Sequence, residues 1–216
     1  MGTLSDRLEQ IGEKARQTLA AKDAAREMAI PLSRDAVRYS SDAIRAIHRS
    51  EFEKGKELLD SARLVLKELD KALSEHQELI DAGFVYNGQK EYVEGRITLA
   101  LIAGGHLPDA DELGMGYAAY LNGMGEAVGE LRRHLLDVIR KGELARCEGL
   151  MATMDDIYGV LVTIDFPDAV TGGLRRTTDA VRGILERTRG DLTLSIRQRH
   201  LEEKLAAFEE RQSGKP

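Results

Sequence analysis

The sequence predicts an all-α protein, a single domain over residues 1–216. Three observations carry that expectation. Apolar residues recur every three or four positions along most of the chain, which is the period of an amphipathic helix. Only four prolines, no Trp and ten Phe plus Tyr occur in 216 residues, too few turn and strand formers for a β sandwich or barrel. No segment alternates apolar and polar residues as a half-buried strand does, and no repeat recurs at a fixed period.

Seven helices are expected. Residues 4–29 carry Leu4, Leu8, Ile11, Ala15 and Leu19 at helical spacing. Pro31 marks a break, and Ser33 is suited to cap the next helix, 33–49, whose apolar side is Val37, Ile44 and Ile47. Leu58, Leu59, Ala62, Leu66, Leu69 and Leu73 define the third. Gly83 breaks it, with a second break near Asn87 and Gly88. The fourth, 86–104, holds Tyr92, Val93, Ile97, Leu99 and Leu101; GGHLPDADE is a loop. A fifth helix spans about 114–141, a sixth 143–163, and DFP at 165–167 stops it. The last, 168–211, repeats Leu174, Val181, Leu185, Leu192 and Ile196. At over 60 Å it outruns a compact 24 kDa bundle. Part of it therefore packs either in the core or on another subunit. The closing SGKP, 213–216, is a polar, frayed tail.

Composition excludes several classes. With 31 Lys plus Arg against 37 Asp plus Glu, any nucleic-acid contact must be local rather than global. The single cysteine, Cys147, excludes an internal disulfide and a Cys-rich zinc site and points to a reducing, cytoplasmic setting. No apolar run approaches a membrane span, so no membrane partner is expected. The first residues lack the apolar core of a signal peptide. The MGTLSD start has a myristoylation-like Gly2, which fits an ordinary polar terminus better.

Two acidic pairs stand out. Glu91 and Glu94 lie three apart, and Glu126 and Glu130 four apart, so each pair shares a helix face. Antiparallel packing of helices four and five would bring the four carboxylates together. They would repel one another unless a cation sat between them, and such hard oxygen ligands select Mg2+ or Mn2+. Gly123, Gly125 and Gly129 fall in the same segment. Each costs about 1 kcal/mol in a helix relative to Ala, which suggests close packing or room for a ligand. By spacing alone a solvated acidic face is the alternative. The apolar neighbours Tyr92, Val93 and Ile97 favour a site.

Arg34, Arg38, Arg45 and Arg49 fall within roughly 60° of one another on helix two, opposite its apolar side. That stripe suits phosphates, although Asp35 and Asp42 beside it would also suit a solvated face. His48, next to Arg49, either touches RNA or is an ordinary surface or core histidine. Residues 174–199 hold seven arginines against three acids, as for a polyanion partner or an acidic subunit surface. Tyr92, Tyr117, Tyr120 and Tyr158 sit among apolar residues as core packing rather than as a base-stacking platform. Recognition through phosphates predicts weak sequence preference and strong salt dependence.

Four segments, LSRDAVRYSSDAIRAIHR (32–49), GQKEYVEG (88–95), GMGEAVGELRR (123–133) and LRRTTDAVRGILERTRGDLTLSIRQR (174–199), occur in one order. Together they resemble the translin and translin-associated factor X (TRAX) family. The resemblance implies a seven-helix fold, a hollow octamer, and binding of single-stranded RNA or DNA. In the TRAX branch it implies a metal-dependent endoribonuclease inside the shell. Glu91 and Glu94 match the EYVE-like motif of that branch, and Glu130 matches the Glu of G-x-x-D-x-x-G-E. Glu126 stands where the family has Asp, one methylene longer. The resemblance thus makes Glu91, Glu94, Glu126 and Glu130 catalytic and Mg2+-binding. It also favours the phosphate reading of Arg34, Arg38, Arg45 and Arg49, with His48 beside them as a nucleic-acid candidate, because the family's nucleic-acid contacts are largely basic side chains. A non-catalytic, translin-like binder is the alternative, supported by Glu126. An all-α nucleotide pyrophosphohydrolase ranks lower, because its second acidic pair is spaced i, i+3 and lies nearer the first. A di-iron bundle would want Glu-x-x-His on two helices, and neither pair has it.

Overall fold

The computed structural model describes residues 3–80 and 82–214. Gly2 and the final Lys215 and Pro216 lie outside them. The described residues form eight α-helices and no strand. Six are long: α1 (Leu4–His48), α2 (Phe52–Ala72), α3 (Gly83–Ala103), α5 (Tyr117–Arg140), α6 (Leu144–Val162) and α8 (Leu174–Ser213). Two, α4 (Ala110–Leu113) and α7 (Asp168–Thr171), are single turns. None of the described helices is long and apolar enough to cross a membrane.

Three expected boundaries move. Pro31 does not break the chain; α1 runs through it for 45 residues, about 67 Å. Ala25 and Ala29 before the proline, and Ala36, Ala43 and Ile47 after it, are all buried. Pro31 itself faces solvent, where water can bond the carbonyl that loses its donor. Packing on both sides thus outweighs the roughly 3 kcal/mol that an interior proline costs. Ser33 is consequently no cap, and its hydroxyl donates to the Phe84 carbonyl of α3. Nor does the Asn87-Gly88 pair interrupt α3. The last helix divides at Gly172 and Gly173, whose φ angles are +62° and +84°, a left-handed bend that side chains resist. Within the expected GGHLPDADE loop, Asp109 and Glu112 form a reciprocal capping box that starts α4.

Cross-helix contacts set the direction of each rod. Tyr86 meets Ala118, and Gly123 lies against Lys90 and Val93, so α3 and α5 ascend together. They are parallel, not antiparallel as the short link suggested. The link through α4 returns the length of the helix before α5 begins. In the same way Gly125 lies on Thr177 and Arg132 bonds Asp191, so α8 runs parallel to α5.

The main core gathers Leu59, Leu66, Tyr92, Val93, Ile97, Leu131, Leu135, Met154 and Leu161 among others. A smaller cluster of Ala25, Ala29, Leu69, Leu73, Leu79 and Val85 sits under the first half of the fold. Leu174, Val181, Leu185 and Leu192 are buried, while Ile196, Leu201, Leu205 and Phe208 are exposed. The lower half of α8 therefore packs in the core and its far end projects. At the other terminus Leu4, Leu8, Ile11 and Leu19 are exposed as well. Tyr92 is buried and Tyr120 and Tyr158 partly so. Tyr117 is 63% exposed, contrary to its expected core position, because it is the first residue of α5.

Candidate active site

The acidic pairs do meet, on parallel helices. One carboxylate oxygen from each of Glu91, Glu94 and Glu126 lies within 4.8 Å of the others. Two glycines let the helices around this group approach closely, Gly123 where α5 meets α3 and Gly125 where α5 meets α8. A Cβ on Gly123 would sit 2.7 Å from the Lys90 carbonyl oxygen, and one on Gly125 2.4 Å from a methyl of Thr177. Among the described residues nothing lies within 4 Å of such a Cβ on Gly129, so it takes no part in this packing.

Electrostatics mark the cluster as more negative than its one cation, Lys90, offsets. Burial, then the negative fields of Glu91, Glu126 and Glu130, push the Glu94 carboxyl up to about 8. Burial also raises Glu91, with Lys90 opposing it. Lys90 lies inside the site: its side chain is 17% exposed, and its ammonium donates to Glu126. Tyr86 is pushed up to about 12 by burial and then by Glu126, so it remains a neutral phenol.

Glu130 is held apart from the other three. Its carboxylate accepts from His48 Nε2 and lies 3.7 Å from Arg133. The His48 bond holds it below the ordinary carboxylate range. His48 therefore turns inward, its side chain 5% exposed, and does not extend the arginine stripe. Its other ring nitrogen, Nδ1, is buried without a hydrogen-bond partner among the described residues.

Arg34, Arg38, Arg45 and Arg49 are all exposed along α1. Arg38 pairs with Asp35 at 2.8 Å and Arg49 with Glu51 at 2.7 Å; Arg45 pairs with Asp42. Arg34 has no ion-pair partner among the described residues. Exposed pairs of this kind are weak, so the guanidinium groups can exchange partners.

The carboxylates form one side of a cleft of about 520 Å³ between α3, α5 and α8. Arg176, Thr177, Ala180, Val181 and Ile184 of α8 form the other. Three oxygen donors fit a hard divalent cation. Ligand distances of about 2.0–2.1 Å for Mg2+ would draw the oxygens slightly inward from their present spread.

No protein-family model matches this chain. An uncharacterised protein of Methanocaldococcus jannaschii is 33% identical over 189 residues, 87% of this chain and 83% of that one. AfC3PO in complex with duplex RNA is 30% identical with a TM-score of 0.75, across 87% of this chain and 97% of that one. The AfC3PO crystal structure gives 0.76 over the same shares. C3PO is the translin/TRAX complex. This chain belongs to the translin/TRAX family. Apo-NeC3PO, at 20% identity, TM-score 0.72, and coverage of 90% and 98%, shares the fold.

Against the translin/TRAX pattern, the cluster unites both halves of the acidic motif. Glu126, the Asp-to-Glu departure, reaches both the cluster and Lys90. Sequence reasoning missed Lys90 and Arg176; for His48 it leaves RNA contact and a surface or core position open, and the side chain turns inward. Lys90 directly precedes Glu91, but nothing in its spacing shows that its side chain crosses to α5. Arg176 was one of seven arginines in its segment, and only tertiary contact separates it from the rest.

Proposed function

We propose that this protein is a metal-dependent endoribonuclease that binds and cleaves single-stranded RNA inside a homo-oligomeric shell, an octamer by family resemblance. The observation that carries the proposal is the group of three glutamate oxygens within 4.8 Å of one another on a cleft, in a translin/TRAX chain. AfC3PO, a relative at 30% identity, forms a complex with duplex RNA, which supports RNA as the ligand class. The buried free Cys147 favours a reducing, cytoplasmic setting.

Glu91, Glu94 and Glu126 would hold Mg2+ or Mn2+, which when bound supplies an acidified water and polarises a phosphodiester. The protein's own groups do the rest. Glu130, kept ionised by His48, is a proton acceptor beside the cluster. Tyr86, neutral to about pH 12, is a donor. The arginines of α1 stand about 22 Å from first to last, enough to hold several phosphates of one strand. Recognition through phosphates gives weak base preference and steep salt dependence. The exposed apolar ends of α1 and α8 supply surface for self-association.

A second reading, a translin-like binder without hydrolysis, is favoured by one observation: Lys90 already neutralises Glu126. Cleavage of labelled single-stranded and duplex RNA by the purified protein separates the two. The comparison is Mg2+, Mn2+ and EDTA, with Glu91→Ala and Glu126→Ala in parallel. Metal-dependent cleavage lost in both variants, with binding retained, establishes the nuclease. Binding without cleavage under any metal leaves the binder. If neither occurs, hydrolysis of nucleoside triphosphates tests the pyrophosphohydrolase reading.

A further inference from the structure

We propose that the α8 wall of the cleft is a nucleotide subsite, in which Arg176 takes a phosphate and the aliphatic surface of Ala180 and Ile184 packs a nucleobase without reading its edge. The proposal rests on the RNA reading of the same cleft and extends it to the unit recognised.

The two walls differ in chemistry. Three glutamates stand on one, while α8 presents a single cation followed by small and aliphatic groups. Positions 176, 180 and 184 recur every four residues, so they form one strip of the helix. Arg176 is exposed and has no ion-pair partner among the described residues. Its neighbours are committed: Arg175 pairs with Asp165 and Arg182 with Asp179. An open guanidinium facing acids across a cleft is placed for a ligand that carries its own negative charge.

The remaining wall cannot discriminate bases. The Thr177 hydroxyl donates to Asn122 Oδ1 at 2.6 Å, so its proton is taken and it can only accept. Ala180, Val181 and Ile184 carry no polar side-chain atom, and the helix backbone bonds itself. Base-edge discrimination needs donors and acceptors together, and past Arg176 this wall offers apolar contact and one hydroxyl oxygen. A volume of about 520 Å³ lies within the range of about 300–1,000 Å³ typical of small-molecule sites.

The test is calorimetric titration of the purified protein, in Mg2+, with AMP, CMP, GMP, UMP and inorganic phosphate. Arg176→Gln and Ala180→Gln are titrated in parallel, both at exposed positions that leave the core intact. The four nucleotides should bind within about threefold of one another and about tenfold more tightly than phosphate. Arg176→Gln should weaken nucleotides and phosphate alike, by about tenfold. Ala180→Gln, which fills the base space, should weaken nucleotides and leave phosphate unchanged. Nucleotides that bind no better than phosphate, or that ignore both substitutions, overturn the proposal. RNA cleavage is measured on the same preparations. Cleavage without this nucleotide binding removes the subsite and keeps the nuclease; nucleotide binding without cleavage does the reverse.

Discussion

The ammonium of Lys90 on α3 donates to the carboxylate of Glu126 on α5, so the acidic cluster contains a cation of its own. Lys90 also lies near enough to Glu91 and Glu94 to oppose the rise in both. Replacement by Met should have two opposite effects. Without divalent metal, the protein should lose about 1–2 kcal/mol in urea unfolding, less than a fully buried pair because Glu126 is partly exposed. Mn2+ affinity, read by calorimetry, should rise, because the competing cation is gone. A fall in affinity would make Lys90 a group that positions Glu126.

Glu94 predicts a pH dependence of stability. Its carboxyl stands at about 8 in the folded protein against an ordinary 4.5. Between those values the unfolded chain has released the proton that the native state still holds. Stability is then full below about pH 4.5 and declines as pH rises towards 8. Urea midpoints in EDTA at pH 5, 6, 7 and 8 should decline accordingly. The slope should flatten in Glu94→Gln and in saturating Mg2+.

The His48–Glu130 bond predicts the opposite sign. Glu130 is held below its ordinary 4.5, so its contribution is present above that value and lost as pH falls through the lowered one. His48→Leu should cost about 1–3 kcal/mol at neutral pH, because it leaves a part-buried carboxylate without its donor. His48→Gln, which can still offer an N–H, should recover part of that in thermal denaturation.

Gly123 and Gly129 should respond oppositely to alanine. At Gly123 the new Cβ meets backbone, the Lys90 carbonyl oxygen, at 2.7 Å, and Val93 at 2.9 Å. The helices must part, and a loss of about 1–3 kcal/mol is expected. Gly129 has open space, so alanine there should stabilise by up to about 1 kcal/mol through helix propensity alone. Thermal melts of the two single variants decide it.

Much of the fold was legible because the helices are amphipathic. Leu59, Ala62, Leu66 and Leu69 lie where their spacing puts them, and so do Val181, Leu185 and Leu192 on α8. The misplaced boundary at Pro31 has a plain cause. A proline's local cost can be read from sequence, whereas the burial of Ala29 and Ala36 on either side that offsets it belongs to α2 and α3. Tyr117 was misassigned because periodicity does not show where a helix protrudes from its neighbours.

The candidate site divides in the same way. Residue types and short spacings within one helix are local properties, so an all-α chain, two acidic pairs each on one helix face, and an arginine stripe on α1 can be read from the residues alone. The tertiary structure decided what those faces meet. The return of the chain through α4 makes α3 and α5 parallel, which levels Glu126 with Glu91 and Glu94 while Glu130 goes to His48. It also turns Lys90 into the cluster and sets Arg176 across the cleft. The physical reason is range: side-chain periodicity is encoded within a few residues, but which charges share a low-dielectric space depends on helix direction and packing between segments far apart in the chain.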